Sequence, residues 1–261
     1  MLKGECFKVI ADERKQRILE LLKENDVVKV VELSKLLDIS EVTVRSYLAD
    51  MEKKGLLSRV HGGAVNSYKP YYSMNFSQRL ETNQERKVLI AQRISKMINP
   101  NDTIMLNSGT TTLLTFRKFP PSYHLNIVTN SVSIALEAAN NPNYNVVLIG
   151  GSINTKYQFT YGADAAKQIK NYHAEKLILS VDGIDAENGF TTYYDKEAEV
   201  DRAMIEQSDC RIIAADYSKF SRSAFAKISD ISVADCIVTN DTEDKSHIEL
   251  LNDFDVEVYL A

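Results

Sequence analysis

The sequence predicts two domains of different class: a small helical domain with a β-hairpin at the N-terminus, followed by an α/β domain with a mostly parallel sheet. The chain has 261 residues, 44% of them hydrophobic, enough for one large core and a smaller second one. In residues 1–65 apolar side chains recur at helical spacing, whereas over residues 86–261 short apolar runs alternate with helix-like segments. Residues 66–85 lack periodicity and are predicted to be a linker.

Composition argues against several classes of protein. Apolar runs such as Val146–Ile149 are far shorter than the roughly 18 residues of a membrane span, and charge appears within Met1–Glu5 before any signal-like run develops. We therefore expect a cytoplasmic protein that does not contact the membrane. Neither a metal nor another cofactor is expected, because no metal-ligand spacing occurs among Cys6, Cys210, Cys236, His61, His124, His173 and His247.

The charge is distributed unevenly between the two domains. The net charge is −5, but residues 1–65 carry 12 Lys and Arg against 11 Asp and Glu, whereas the remainder carries 19 against 25. This asymmetry permits contact between the N-terminal domain and nucleic acid without demonstrating it.

Three helices are predicted in the N-terminal domain. The first spans Asp12–Glu24 and the second Val30–Leu37, with a turn at Asp38–Ile39. The third spans Ser40–Lys54, because its first serine can cap the helix through its hydroxyl and Gly55 suits a left-handed helix end.

A hairpin and the third helix together suggest a DNA-binding surface. The runs 56–60 and 64–65 flank a glycine turn and predict a wing, so the domain is interpreted as a winged helix-turn-helix whose third helix enters the major groove. Arg45 is suited to guanine and Val42 to a thymine methyl group. The contacts expected from helix two, helix three and the wing are Lys35, Ser40, Val42, Thr43, Arg45, Ser46, Arg59 and His61. The alternative is a packing domain whose exposed polar residues are only solvated.

In the second domain, the sequence predicts strands that alternate with helices. Strands are expected at 103–107, 125–129, 145–149, 177–181, 212–215 and 237–239. Helices are expected at 86–98, 111–118, 131–140, 162–170 and 196–208. This order predicts a mostly parallel sheet covered on both faces.

Polar residues and glycines follow five of these strands, at the edge where ligands bind in open α/β sheets. Ser108–Thr112 is the sharpest of these segments, because its amides and hydroxyls suit an anion such as phosphate. It lacks the Gly-Lys-Ser/Thr of a nucleotide P-loop, and alone it could be an ordinary turn. Asp182, Asp185, Asp216 and Lys219 would bind the hydroxyls of a sugar and balance the charge of its phosphate. The residues expected to bind an effector are Ser108, Gly109, Thr110, Thr111, Thr112, Thr129, Asn130, Gly150, Gly151, Asp182, Gly183, Asp185, Glu197, Asp216 and Lys219.

Motifs in both domains carry a resemblance to a known family. They are Glu13–Arg14, Ile18–Leu19, Glu32–Leu33, Ile39–Ser40, Thr43–Arg45, Gly55–Leu57, Arg59–Ala64, Asn107–Thr112, Val128–Ser131, Ile149–Gly151, Val181–Asp185, Gly189–Thr192, Glu197–Val200, Ala203–Ile205 and Asp216–Phe220. Across them the sequence resembles the DeoR family of repressors. The resemblance implies a sensor domain similar in fold to ribose-5-phosphate isomerase and glucosamine-6-phosphate deaminase, with phosphorylated sugars as typical ligands.

Four positions depart from the family pattern. Ser46 and Tyr47 replace an Arg-Asp pair in the recognition helix, Asn154 stands where an arginine is often nearby, and Asp201 stands where lysine is common. They leave the operator sequence and the identity of the effector open.

The function expected from these observations is repression of a sugar or carbohydrate utilisation operon. A homodimer or homotetramer would bind double-stranded operator DNA, and a phosphorylated sugar would change its affinity by linkage. The alternatives are a sugar-phosphate isomerase or deaminase-like enzyme with Asp182, Asp185 or Glu197 as general base, and a plain interaction module. The DNA-binding head favours a repressor without catalytic residues.

Overall fold

The computed structural model describes residues 13–22, 25, 27–53, 56–66, 74–242 and 245–261. The chain divides into two compact units, residues 1–74 and residues 75–261. The helix end predicted at Gly55 lies outside the described residues, as does much of the first half of the predicted linker.

The N-terminal unit is a winged helix-turn-helix, which confirms the predicted class. Its elements are α1 (13–22), β1 (Val27–Lys29), α2 (Val30–Leu36), α3 (Glu41–Lys53), β2 (Leu57–Val60) and β3 (Gly63–Asn66). β3 pairs antiparallel with both β1 and β2. Strand β1 was not predicted, because three residues are too few for an alternating pattern.

A small apolar core fixes the orientation of α3. Val44, Leu48 and Met51 lie on one face of the helix and are almost completely buried against Ile18 and Leu57. Residues three and four apart share a helix face, so the opposite face of α3 must point to solvent. The unit thereby presents one face of this helix outward.

The C-terminal unit is built on a seven-stranded parallel sheet. The strands of the whole unit, including those of its two smaller sheets, are β4 (Thr103–Leu106), β5 (Leu125–Thr129), β6 (Tyr144–Leu148), β7 (Ser152–Asn154), β8 (Phe159–Tyr161), β9 (Ala174–Leu179), β10 (Gly183–Asp185), β11 (Gly189–Thr192), β12 (Ser208–Ala214), β13 (Ala226–Ser229), β14 (Cys236–Thr239) and β15 (Glu257–Leu260). Its helices are α4 (Phe76–Glu81), α5 (Gln84–Ser95), α6 (Thr110–Phe116), α7 (Val132–Ala138), α8 (Ala163–Ile169), α9 (Asp195–Glu206) and α10 (Ser246–Glu249), with short 3₁₀ turns at Tyr217–Lys219 and Ile231–Val233.

The strand order of the large sheet is β15-β14-β12-β9-β4-β5-β6, and every pairing in it is parallel. The chain enters at β4, continues outward through β5 and β6, and returns to β9 on the other side of β4. Connections after β4 and β9 therefore leave in opposite directions, which opens a crevice at their carboxyl ends. The segments 108–112 and 182–183, which were predicted to bind an effector, follow β4 and β9 at this crevice.

Two apolar cores cover the two faces of the sheet. Along β4, Ile104 and Leu106 belong to one core and Met105 to the other, as the pleat of a strand requires. Each fully buried side chain of this size stabilises the fold by about 1.5–3 kcal/mol. Within the described ranges, no helix has the length and apolar character needed to cross a membrane.

Part of the predicted linker is helical. Helix α4 lies inside it, and α5 begins at Gln84 rather than at Arg86. The start of α4 is a capping box: the Asn75 side chain accepts from the Gln78 amide, and the Gln78 side chain accepts from the Asn75 amide. With only six residues, α4 has no detectable helical periodicity. The edge strand β15 and the small antiparallel sheets β10-β11-β13 and β7-β8 were also not predicted.

Candidate functional site

The exposed face of α3 carries most of the residues expected to contact DNA. Val42 is 74% exposed, and Arg45 and Ser46 are also exposed. The Arg45 guanidinium lies 2.7 Å from a carboxylate oxygen of Glu41, one turn earlier. Ser40 caps the helix: its Oγ accepts from the Thr43 amide at 3.1 Å and lies 2.9 Å from Thr43 Oγ1. These two hydroxyls are therefore engaged with each other.

The wing residues lie near the other end of α3. Arg59 donates from its amide and its Nε to the two carboxylate oxygens of Glu52, at 2.8 and 2.7 Å. The amide hydrogen bond is the main cause that lowers the pKa of Glu52. Lys35 and His61 are exposed, on α2 and in the wing turn. The structure thus places all eight residues on α2, α3, their connecting turn and the wing.

In the C-terminal unit, the crevice between β4 and β9 has a tightly packed floor. Asn107 Nδ2 donates to the Ser180 carbonyl at 2.9 Å, and Asn107 Oδ1 accepts from the Ser180 amide at 3.0 Å and from Thr112 Oγ1 at 2.9 Å. A Cβ at Gly109 would lie 1.4 Å from Ser180 Oγ and 2.6 Å from Ser180 Cβ. Only glycine fits where the two strand ends approach, so this residue and Thr112 shape the site.

Two acidic side chains, Glu197 partly buried and Asp201 completely buried, form one side of the crevice. Glu197 on α9 accepts from Ser108 Oγ at 2.8 Å and from Thr192 Oγ1 at 2.7 Å. Burial, with Asp182 nearby, raises the pKa of Glu197. Asp201, one turn further along α9, is completely buried and accepts from Asn107 Nδ2 at 3.2 Å; burial and Glu197 raise its pKa well above its usual range. The raised pKa values favour the neutral forms of both acids.

Lys87 forms the other side. It is 1% exposed, and its ammonium group donates to Thr110 Oγ1 at 3.0 Å and to the backbone carbonyl of Arg79. Burial lowers the pKa of Lys87 to about 7, although Asp216 favours the charged form. A lysine so far removed from water is costly to the fold, which suggests a role in binding.

Two further cations face one carboxylate oxygen. The Arg79 guanidinium and the Lys219 ammonium lie 3.6 and 3.9 Å from Asp182 Oδ1, both longer than a good hydrogen bond. Burial would raise the pKa of Asp216, but Lys219, hydrogen bonds from Ser218 and Lys87 outweigh burial and lower it. Arg79, Lys87 and Lys219 thus lie around the carboxyl groups of Asp182 and Asp216, so this side of the crevice is the one suited to an anionic ligand.

Sequence reasoning missed Arg79 and Lys87. Lys87 falls on the apolar stripe of α5, at the spacing i, i+3, i+4 and i+7 with the buried residues Ile90, Ala91 and Ile94. A lysine on the apolar face of a predicted helix was the signal in the sequence that could have identified this residue. Arg79 lies in the segment interpreted as a linker, where no periodic pattern identified it.

Several predicted residues serve the fold instead of joining this cluster. Thr129 Oγ1 donates to the Leu106 carbonyl at 2.7 Å, and Asn130 Nδ2 donates to the Thr160 carbonyl at 3.2 Å. Asp185 accepts from the amides of Glu187 and Asn188 in the turn after β10. Gly150 and Gly151 follow β6, and the Gly150 amide donates to the Gln168 side chain. Thr111 is buried in α6, and Gly183 begins β10.

The chain thus joins a winged helix-turn-helix to a separate α/β unit, a combination typical of DNA-binding transcriptional regulators. Residues 14–68 match the DeoR-like helix-turn-helix domain, and residues 82–241 match the DeoR C terminal sensor domain. The chain belongs to the DeoR family of transcriptional regulators.

Similar proteins cover nearly the whole chain. An uncharacterized HTH-type transcriptional regulator, YulB from Bacillus subtilis (strain 168), is 32% identical over 250 residues, 96% of each chain. A putative aga operon transcriptional repressor from Escherichia coli O157:H7 is 32% identical over 260 residues, 99% of this chain and 97% of the other. A solved ribose 5-phosphate isomerase A from Methanocaldococcus jannaschii aligns with 53% of this chain and 55% of its own, at a TM-score of 0.40 and 12% identity. That last similarity is partial and carries no functional conclusion.

Proposed function

We propose that the protein represses a sugar or carbohydrate utilisation operon and that a phosphorylated sugar, bound at the crevice between β4 and β9, controls its affinity for operator DNA. The observation that carries this proposal is the convergence of three basic side chains: Lys87 donates to the Thr110 hydroxyl, and Arg79 and Lys219 both face Asp182 Oδ1. Cations held away from water bind a phosphate more strongly than exposed ones, because the local dielectric constant is low.

The carboxylate side of the same crevice suits the sugar. Asp182 and Glu197 accept hydrogen bonds from protein groups, and each carboxyl group keeps lone pairs that can accept from sugar hydroxyls as well. The proposed ligand therefore spans the crevice, with its phosphate toward Lys87 and its hydroxyls toward Glu197. DNA would be bound by α3 and the wing in a homodimer or homotetramer on a palindromic operator.

A panel of phosphorylated sugars tests the proposed ligand class. Thermal unfolding of the full chain is measured with ribose 5-phosphate, glucose 6-phosphate, fructose 6-phosphate and inorganic phosphate. A ligand present at 100 times its Kd should add about 2.7 kcal/mol to the free energy of unfolding, which raises Tm by several degrees. Lys219→Gln should lose most of that shift, because it removes one cation while keeping much of the side-chain stem. Equal shifts in both proteins would place the ligand elsewhere, and no shift with any compound would contradict the proposal.

Effector affinity should depend on pH through Lys87. Below its pKa of about 7 the ammonium group attracts the phosphate, whereas above it the neutral amine does not. If the bound ligand keeps Lys87 protonated, affinity falls by up to about tenfold for each pH unit above 7. Calorimetry at pH 8 in two buffers of different ionisation enthalpy should show uptake of up to about one proton on binding. Proton release, or the same profile in Lys87→Met, would contradict this assignment.

A further inference from the structure

Helix α4 links the proposed effector site to the chain that leads to the DNA-binding unit. It spans Phe76–Glu81 and is the first element after residues 67–73, which precede Met74 in the sequence. Its Arg79 points into the proposed site, where the guanidinium lies 3.6 Å from Asp182 Oδ1. This helix also lies outside residues 82–241, the range that matches the sensor domain.

The position of α4 depends on contacts with the rest of the C-terminal unit. A six-residue helix is too short to be stable alone, because nucleation costs more than its few hydrogen bonds return. Phe76 is buried, and its amide donates to the Lys156 carbonyl at 3.1 Å. The Arg79 guanidinium lies 4.1 Å from the centroid of the Tyr157 ring, and the Arg79 carbonyl accepts from Lys87. Changes at these partners must therefore affect the helix.

A bound phosphate would change two of those contacts together. The 3.6 Å separation between Arg79 and Asp182 is long for an ion pair, and Lys219 lies 3.9 Å from the same oxygen. Phosphate offers three strong acceptor oxygens and pairs well with the planar guanidinium of arginine. It would compete with Asp182 for the side chain of Arg79 while also attracting Lys87, which holds the backbone of the same residue.

We infer that Arg79 is the residue through which effector binding is transmitted to DNA binding: the ligand phosphate takes its guanidinium from Asp182, and α4 moves or changes stability with it. The inference rests on the proposed function. It assigns Lys219 to affinity alone and Arg79 to both affinity and coupling. Coupling is the ratio of operator affinities without and with saturating effector, a quantity separate from the affinity for the effector itself.

Coupling is measured with the full chain, an operator duplex from upstream of its own operon, and the panel compound that binds most tightly. In Arg79→Gln the coupling ratio at saturation should fall to within twofold of 1. In Lys219→Gln more effector should be needed, but the ratio at saturation should stay within about twofold of the wild-type value. Arg93→Gln is the matched control, because Arg93 stacks on Tyr259 at 4.8 Å and should leave the ratio unchanged.

Hydrogen exchange in the wild-type chain provides a second measurement that does not depend on a variant. Saturating effector should change the exchange rates of the amides of residues 76–81 by at least severalfold. Unchanged exchange there, or an undiminished coupling ratio in a folded Arg79→Gln, would overturn the inference while leaving the proposed function intact. If no panel compound binds, the proposed function fails and the inference fails with it.

Discussion

Replacement of Lys87 by methionine is expected to stabilise the free protein and to abolish its response to a phosphorylated effector. The pKa of Lys87 falls from its ordinary value of 10.5 to about 7, because burial disfavours the charged form. Each pKa unit corresponds to about 1.4 kcal/mol, so the charge costs the fold about 4–5 kcal/mol at or below neutral pH. Methionine keeps the volume but leaves Thr110 Oγ1 and the Arg79 carbonyl without this donor, at about 1 kcal/mol each. The net gain in the free energy of unfolding is therefore about 2–3 kcal/mol.

The direction of the pH dependence is a further check on this variant. The folded-state pKa lies below the unfolded one, so the cost of the charge is fully present below pH 7 and disappears as the pH rises toward 10.5. Urea unfolding at pH 6 and pH 9 should therefore show a larger gain at pH 6. Lys96→Met is the control, because Lys96 is exposed at the end of α5. A destabilised Lys87→Met that still binds the effector would contradict both assignments.

Loss of the Arg45 side chain is expected to abolish sequence-specific operator binding while the fold survives. The side chain is 57% exposed and paired with Glu41, and an exposed ion pair of this kind is worth at most about 1 kcal/mol, so DNA can take it over at low cost. A bidentate contact between arginine and guanine is worth about 1–3 kcal/mol of discrimination. With one contact from each half of the proposed dimer, Arg45→Ala should weaken operator binding by roughly 30-fold to 10⁴-fold.

Fluorescence anisotropy with the operator duplex and with a duplex of scrambled sequence measures this effect. Affinity for the scrambled duplex should fall far less, because phosphate contacts from other residues carry non-specific binding. Arg17→Ala is a matched control: Arg17 is also exposed and pairs with Glu20, but it lies on α1, away from the face of α3. Unchanged preference for the operator in Arg45→Ala would show that another residue reads the sequence.

Local sequence patterns were sufficient to predict the recognition helix α3 and its orientation. The apolar spacing of Val44, Leu48 and Met51 predicted both the helix and its buried face, and the structure buries all three. The outward position of Arg45 follows from the same periodicity. The parallel sheet was predicted for a similar reason, because buried strands are short continuous apolar runs.

The proposed effector site depends both on local sequence patterns and on tertiary packing. Local sequence patterns identified the segments that follow the strands, among them Ser108–Thr112, Asp182 and Lys219, because the carboxyl ends of parallel strands meet at one edge. Arg79 and Lys87 lie on two helices before the first strand of the sheet, and packing between distant segments brings Lys87 to Thr110 and Arg79 to Asp182. The reason is physical. A lysine is recognised as buried only when the segments that exclude water from it are known. The side of a six-residue helix that faces a ligand is likewise known only from the residues that pack against the helix. Both depend on packing between segments that are distant in sequence.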